Sequence, residues 1–262
     1  MKKTIYSVIT IIIVIGIAGL AWRYRDEAVR SYERASLPSP VAYIPEPTTQ
    51  PTDAQPAVTP RPVPTETARP ETLKASVNLA VPFTVQAPNA QWEAPYKEFC
   101  EEASALMAAF YVQGKPIPNA TVADTEMLKI KTFEEKQFGY YEDTTAAETA
   151  KVLTDHFKLT AVKVVPDPTV AGMKEALAAG KVVLVPAAGR LLGNPYFQQP
   201  GPLYHMLVIK GYTDDGRFIV NDPGTRRGAD FLYSEETIMN AMHDWRSDQQ
   251  IELGRKVVIL VG

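Results

Sequence analysis

The chain has 262 residues, of which 45% are hydrophobic and 22% charged, with a net charge of −3 and no long basic run. That length holds one or two domains, and the charge pattern excludes the basic footprint of a nucleic-acid binder. A single cysteine, Cys100, excludes an internal disulfide framework.

Residues 1–3 read as a short cytoplasmic n-region carrying Lys2 and Lys3. Residues 4–22 contain no charge and are rich in Ile and Val. As a helix they span about 28 Å, close to the thickness of a bilayer core. A cleaved signal peptide is the alternative, since Gly19 and Ala21 are small. The long apolar run, followed at once by Trp22 and Arg23, favours an uncleaved single-pass anchor. Residues 23–36 form a charged juxtamembrane segment. Its arginines (Arg23, Arg25, Arg30 and Arg34) outnumber Lys2 and Lys3, and a plain count would put the body of the protein in the cytoplasm. The short Met-Lys-Lys start and the following stalk favour an extracytoplasmic domain instead.

That stalk, 37–78, is Pro-rich with Thr, Gln and Ala between the prolines. It has too little apolar surface to fold and reads as an extended, disordered linker. It is either a spacer holding a domain off the membrane or a linker of no special role.

Residues 79–262 read as one α+β domain. A short strand is expected at 81–86, broken by Pro82. The segment 100–112 is helical, with Ala103, Leu106, Met107 and Phe110 on one face and Glu101 and Glu102 in the first turn. A weaker helix follows at 121–133. Thr145 and Glu148 fit a capping box that opens a helix running past Leu153 to Phe157. Asp167-Pro168 reads as cap and first residue of another helix, closed by Gly180. The run Val182-Val183-Leu184-Val185 is a buried strand. Segments 205–212 and 217–221 flank Asp214-Asp215-Gly216 as a hairpin. Ser234 caps a helix to about Trp245, and 256–261 is a last strand.

Cys100 is either an inert buried residue or a reactive nucleophile. Its place at a helix N-terminus favours the thiolate. A thiol nucleophile needs a base and a group to orient that base. His156 reads as a surface residue and His243 as a structural one near a helix C-terminus. His205 begins a strand directly after the loop 189–204, which suits a base held on a rigid element. Asp222 shares the His205 face of the hairpin by parity. With an ideal two-residue turn, however, it falls about four residues short in register. The hairpin therefore needs a different turn or a bulge. Asn221 points the other way and is the weaker candidate. Gln86, at the end of the first strand, is a candidate oxyanion donor. The histidines and the lone cysteine have no metal-ligand spacing, and no cofactor, nucleotide or nucleic acid is expected.

Gln86, helix-starting Cys100, strand-starting His205 and Asp222 occur in the order of a papain-like cysteine peptidase fold. The segments Val81-Pro82-Phe83-Thr84-Val85-Gln86, Cys100-Glu101-Glu102-Ala103-Ser104, His205-Met206-Leu207-Val208-Ile209-Lys210-Gly211-Tyr212 and Asn221-Asp222-Pro223-Gly224 resemble the bacterial domains related to the bacteriocin-leader processing peptidases, peptidase family thirty-nine. The resemblance covers about 79–262. It implies Cys100 as nucleophile, His205 as base, Asp222 as orienter, Gln86 in the oxyanion hole, and a peptide or protein substrate. Glu101-Glu102 depart from the small residues that usually follow the cysteine. Their charge should raise the thiol pKa unless the side chains reach solvent. The longer insertion 87–99, with Trp92, Pro95 and Tyr96, and the loop 189–204, with Leu191, Leu192, Tyr196 and Phe197, are expected to shape a substrate groove. The expected function is thiol-dependent peptide hydrolysis through an acyl-enzyme by a membrane-tethered domain. A cell-wall amidase or acyl transferase on the same site, and an inactive surface-binding module, are the alternatives.

Overall fold

The computed structural model describes residues 14, 24–45 and 73–262. The chain divides into two units, Met1–Ser39 and Pro40–Gly262. In the first, residues 24–36 are helical (α1). No helix among the described residues is long and apolar enough to cross a membrane. The expected span 4–22 lies outside the described residues except for Val14, as does most of the Pro-rich stretch.

The second unit is built on a seven-stranded sheet whose pairs are all antiparallel. Its strands are β1 (Val77–Asn78), β2 (Val162–Pro166), β3 (Val182–Ala188), β4 (Tyr204–Tyr212), β5 (Arg217–Asn221), β6 (Phe231–Ser234) and β7 (Val257–Val261). The order is β2-β7-β3-β4-β5-β6, and β1 adds to the far end of β4. β3 and β4 are buried along their whole lengths, which is why 182–185 is apolar without alternation.

The helices are α2 (Cys100–Val112), α3 (Ala120–Phe138), α4 (Ala146–Lys151), α5 (Val170–Ala178) and α6 (Glu235–Ala241). α2 packs on β4 and is buried on every side from Cys100 to Tyr111. A helix apolar all round belongs in a core, and α2 carries Glu101, Glu102 and Ser104 there with it. Ser104 Oγ resolves its burial by donating to the Met206 carbonyl of β4, 3.1 Å away.

Several local expectations meet the structure directly. Thr145 and Glu148 form both halves of the capping box that opens α4. The helix then loosens into a π-turn at Val152–His156. Other expectations need correction. Residues 81–86 are not a strand. The pairing lies upstream at β1, and Leu79 N donates to Lys210 O before Pro82, which has no N–H, ends it. Val41, expected in the linker, donates to Asn78 O and accepts from Ala80 N. Thr169, not Asp167, caps α5, its side chain accepting from Gly172 N; Asp167 sits at φ +46°. β2 and β6 lack a clear period in sequence and were not expected. α6 stops at Ala241, short of Trp245.

Candidate active site

The hairpin β4–β5 brings His205 and Asp222 together, and its register shows how. Thr213 N donates to Arg217 O at 2.9 Å, so the loop is the three residues Asp214-Asp215-Gly216, with Gly216 at φ +81°. That shifts the pairing one residue from the ideal turn. A bulge between Ile209 and Gly211 shifts it a second, so that Val208 faces Asn221. Asp222, the next residue, then lies beside Leu207, two positions from His205. Residues so placed are diagonal neighbours on one face, within reach of side chains. His205 Nε2 and Asp222 Oδ1 are 2.8 Å apart, and both residues are buried.

Asp222 has no polar atom left over. Oδ1 also accepts the Gly224 N–H at 3.0 Å. Oδ2 accepts from Asn194 Nδ2 at 3.0 Å and from the Tyr233 hydroxyl at 2.7 Å. Burial disfavours its charge, but the His205 charge and the hydrogen bonds from His205, Tyr233 and Gly224 outweigh that, and its carboxyl sits below the usual range. Burial, then the Asp222 charge, pushes the Tyr233 phenol far up, so it stays a donor. Two glycines let the loop close on this pair. A Cβ at Gly224 would lie 2.9 Å from His205 Cε1, and one at Gly228 would lie 1.8 Å from the Asp222 carbonyl oxygen. The Phe197 ring stands edge-on to the imidazole, centroids 5.2 Å apart.

Sequence reasoning missed Asn194 and Tyr233. Asn194 sits in a loop where asparagine reads as turn chemistry, and Tyr233 lies in a strand too short to show a period. Asn221, the weaker candidate, turns away as parity requires. Its side chain bonds the Val81 and Pro82 carbonyls.

Cys100 opens α2 behind Phe99, which gives no side-chain cap. Its N–H is one of the helix's first-turn donors and has no partner within α2. Cys100 is 6% exposed, and its Sγ lies 2.9 Å from Glu101 Oε2. Ser104 is one turn further along the same face. Its bond to Met206, the neighbour of His205, ties the Cys100 end of α2 to the His205 end of β4. The hydrogen bonds themselves remain separate: Cys100 bonds Glu101, and the imidazole bonds Asp222. With Nε2 so engaged, Nδ1 is the ring nitrogen left to face another group.

Of the two alternatives for Glu101 and Glu102, solvent exposure is ruled out: they are 1% and 0% exposed. They are carried inside because α2 is the central helix, covered by α3 and its own buried Glu134. Burial pushes both carboxyls well above their usual range, and Glu134 to about 8. Burial first, and then Glu101, likewise pushes the Cys100 thiol well up. The cluster is not disposed as a metal site among the described residues.

Gln86 is buried, and its amide donates to the Tyr96 carbonyl at 3.0 Å and the Lys97 carbonyl at 2.8 Å. Both amide hydrogens are therefore engaged. As it stands, Gln86 pins the turn Tyr96–Glu98 that leads into Cys100, rather than offering an open donor to an oxyanion. His156 is half-buried between the Phe133 and Phe157 rings. His243 Nδ1 lies 2.9 Å from Gly254 O; both histidines are structural. Of the loop residues expected in a groove, Tyr196 and Phe197 line a cavity of about 660 Å³ with Trp92 and Gln86. Leu192 is buried in the core and Leu191 packs against it.

No curated protein matches the chain. A solved structure from Bacillus anthracis, described as a C39-like peptidase, is similar at 15% identity and a TM-score of 0.47, covering 71% of this chain and 97% of its own. The sequence model of the Peptidase_C39 like family matches residues 78–250, more than half of the 262. The chain belongs to the Peptidase_C39-like family.

Proposed function

We propose that the second unit is a thiol-dependent peptidase in which Cys100 is the nucleophile, His205 the base and Asp222 the residue that orients it. The observation that carries this reading is the buried imidazole–carboxylate pair, fixed by four bonds to Asp222 and joined through Ser104 to the end of α2 that bears the lone thiol.

In the reaction, His205 Nδ1 takes the thiol proton as Sγ bonds to the peptide carbonyl carbon. The imidazolium is stabilised by Asp222. The Cys100 N–H at the helix start stabilises the oxyanion. Gln86 can join it only by releasing one of its two carbonyl bonds. His205 then hands its proton to the leaving amine as the C–N bond breaks, leaving an acyl-thioester. Water, deprotonated by the same imidazole, hydrolyses that ester and restores the thiol.

The anchor at 4–22 and the Pro-rich stretch hold this domain outside the cytoplasmic membrane. Because Cys100 is the chain's only cysteine, a membrane-impermeant thiol reagent tests the topology. Labelling of Cys100 on intact cells supports the outward placement, and labelling only after lysis refutes it.

A second reading, an inactive binding module, draws on the bond from Sγ to Glu101 and on the raised thiol pKa. Turnover separates the two. The full chain should hydrolyse an unstructured polypeptide such as casein and lose all hydrolysis in Cys100→Ala, with a melting temperature close to wild type. No hydrolysis of casein or of peptidoglycan fragments by the wild type favours the binding module.

A further inference from the structure

The cavity beside His205 has a one-sided charge. Lys97, Arg226 and Arg227 line it, together with Trp92, Tyr196 and Phe197, and no carboxylate does. The chain as a whole carries more Asp and Glu (30) than Lys and Arg (27), so this bias is local.

The three cations differ. Lys97 is paired with Glu98 at 3.1 Å. The Arg227 guanidinium lies over the Tyr196 ring, 4.9 Å from its centroid, a cation–π contact. Arg226 is exposed and makes no ion pair among the described residues. It also borders a neighbouring cavity of about 340 Å³ that includes Phe83 and Ile117. The exposed Arg226 guanidinium, planar and on the cavity wall, presents the fork that matches a carboxylate.

The cavity's position relative to the chemistry is given by Phe197 and Gly224. Both line it, and both pack on the His205 ring. His205 protonates the leaving amine, so residues just after the cut bond lie on the imidazole side.

We propose that this cavity selects peptides bearing a carboxylate shortly after the scissile bond, read by Arg226 and Arg227. The inference rests on the peptidase reading for the cut itself. Two sources offer that carboxylate: an Asp or Glu side chain, or the free C-terminus of a short substrate.

The test uses the full chain with Cys100→Ala, which binds without turning over, and fluorescent peptide pools with Glu, Gln or Lys fixed at one position, each prepared with a free or an amidated C-terminus. The proposal expects an acidic or free-terminus pool to bind about tenfold more tightly than its neutral counterpart. Adding Arg226→Gln and Arg227→Gln should erase that difference, so that the acidic and free-terminus pools bind no more tightly than their neutral counterparts. A difference between Glu and Gln pools assigns the side chain, and one between free and amidated pools assigns the terminus. Equal affinities throughout, or a preference that survives both arginine changes, overturn the proposal. Wild-type turnover on the same pools is scored separately. Selective binding with no cleavage refutes the peptidase reading alone, and cleavage with no carboxylate preference refutes only this inference. Arg226→Gln by itself, at an exposed position, guards against a folding defect.

Discussion

The two sides of the candidate site treat buried charge in opposite ways. On the hairpin side, one buried carboxylate, Asp222, has every lone-pair direction answered by His205, Gly224, Asn194 and Tyr233. On the helix side, Glu101 Oε1, both Glu102 oxygens and Glu134 Oε2 accept from no N–H or hydroxyl donor among the described residues, and the Glu102 and Glu134 carboxyls face each other, a bond that needs one of them protonated. The first arrangement holds an ion in the core. The second favours neutral acids, because an unpaired buried charge costs several kcal/mol. The proposed site thus combines an imidazole held by Asp222 with a thiol whose surroundings resist negative charge. Burial and then Glu101 push the thiol pKa up, so the proposed reaction relies on the base to activate it.

If the hairpin side is the organised one, breaking it has the largest effect. Asp222→Ala should lower turnover about 10²- to 10⁴-fold and destabilise the fold by about 3–5 kcal/mol, since it leaves Asn194, Tyr233 and the imidazole facing an unfilled, unpaired site. Steady-state kinetics and urea denaturation measure the two losses. A variant with near wild-type turnover would show that His205 needs no orienter.

Changes on the helix side should be smaller and of opposite sign. Glu101→Gln removes the carboxylate 2.9 Å from Sγ. The thiol pKa, which burial and then Glu101 hold up, should fall, and alkylation of Cys100 at pH 8 should quicken about three- to tenfold. Unchanged or slower alkylation would mean that Glu101 assists the thiolate. A still smaller effect separates the buried acids from Asp222. Unfolded Glu134 ionises near 4.5, whereas the folded protein keeps its proton to about 8. Between those values the native state binds more protons, so stability falls as pH rises. Glu134→Gln should flatten that decline in a melting series from pH 5 to 8; an unaltered slope would remove Glu134 from the account.

How much of this was legible in the sequence follows the range of the interactions. The α4 capping box, the buried run of β3 and the β4–β5 hairpin are written in local chemistry and period. The face shared by His205 and Asp222 follows from parity. Their distance does not, because it depends on a three-residue loop and a bulge at residue 210 that alternation leaves undetermined. Glu101 and Glu102 stay open between burial and solvent in the sequence for another reason: a helix start with two acids has no local signal of burial, and the packing of α2 between the sheet and α3 is what buries them. Asn194 and Tyr233 gave no signal because their role exists only through Asp222. Gln86 was found as a residue, but its two carbonyl partners in the turn at Tyr96–Glu98 are a tertiary fact.

In the proposed reaction Cys100 and His205 work as one unit, and the lone cysteine makes that coupling directly measurable. The rate of iodoacetamide alkylation at pH 7 reports a single site in the full chain. With general-base assistance from the imidazole, His205→Ala should slow that rate about a hundredfold while the fold, followed by circular dichroism, is retained. An equal rate in the folded variant and the wild type would contradict the account and leave the thiol as a buried residue beside Glu101.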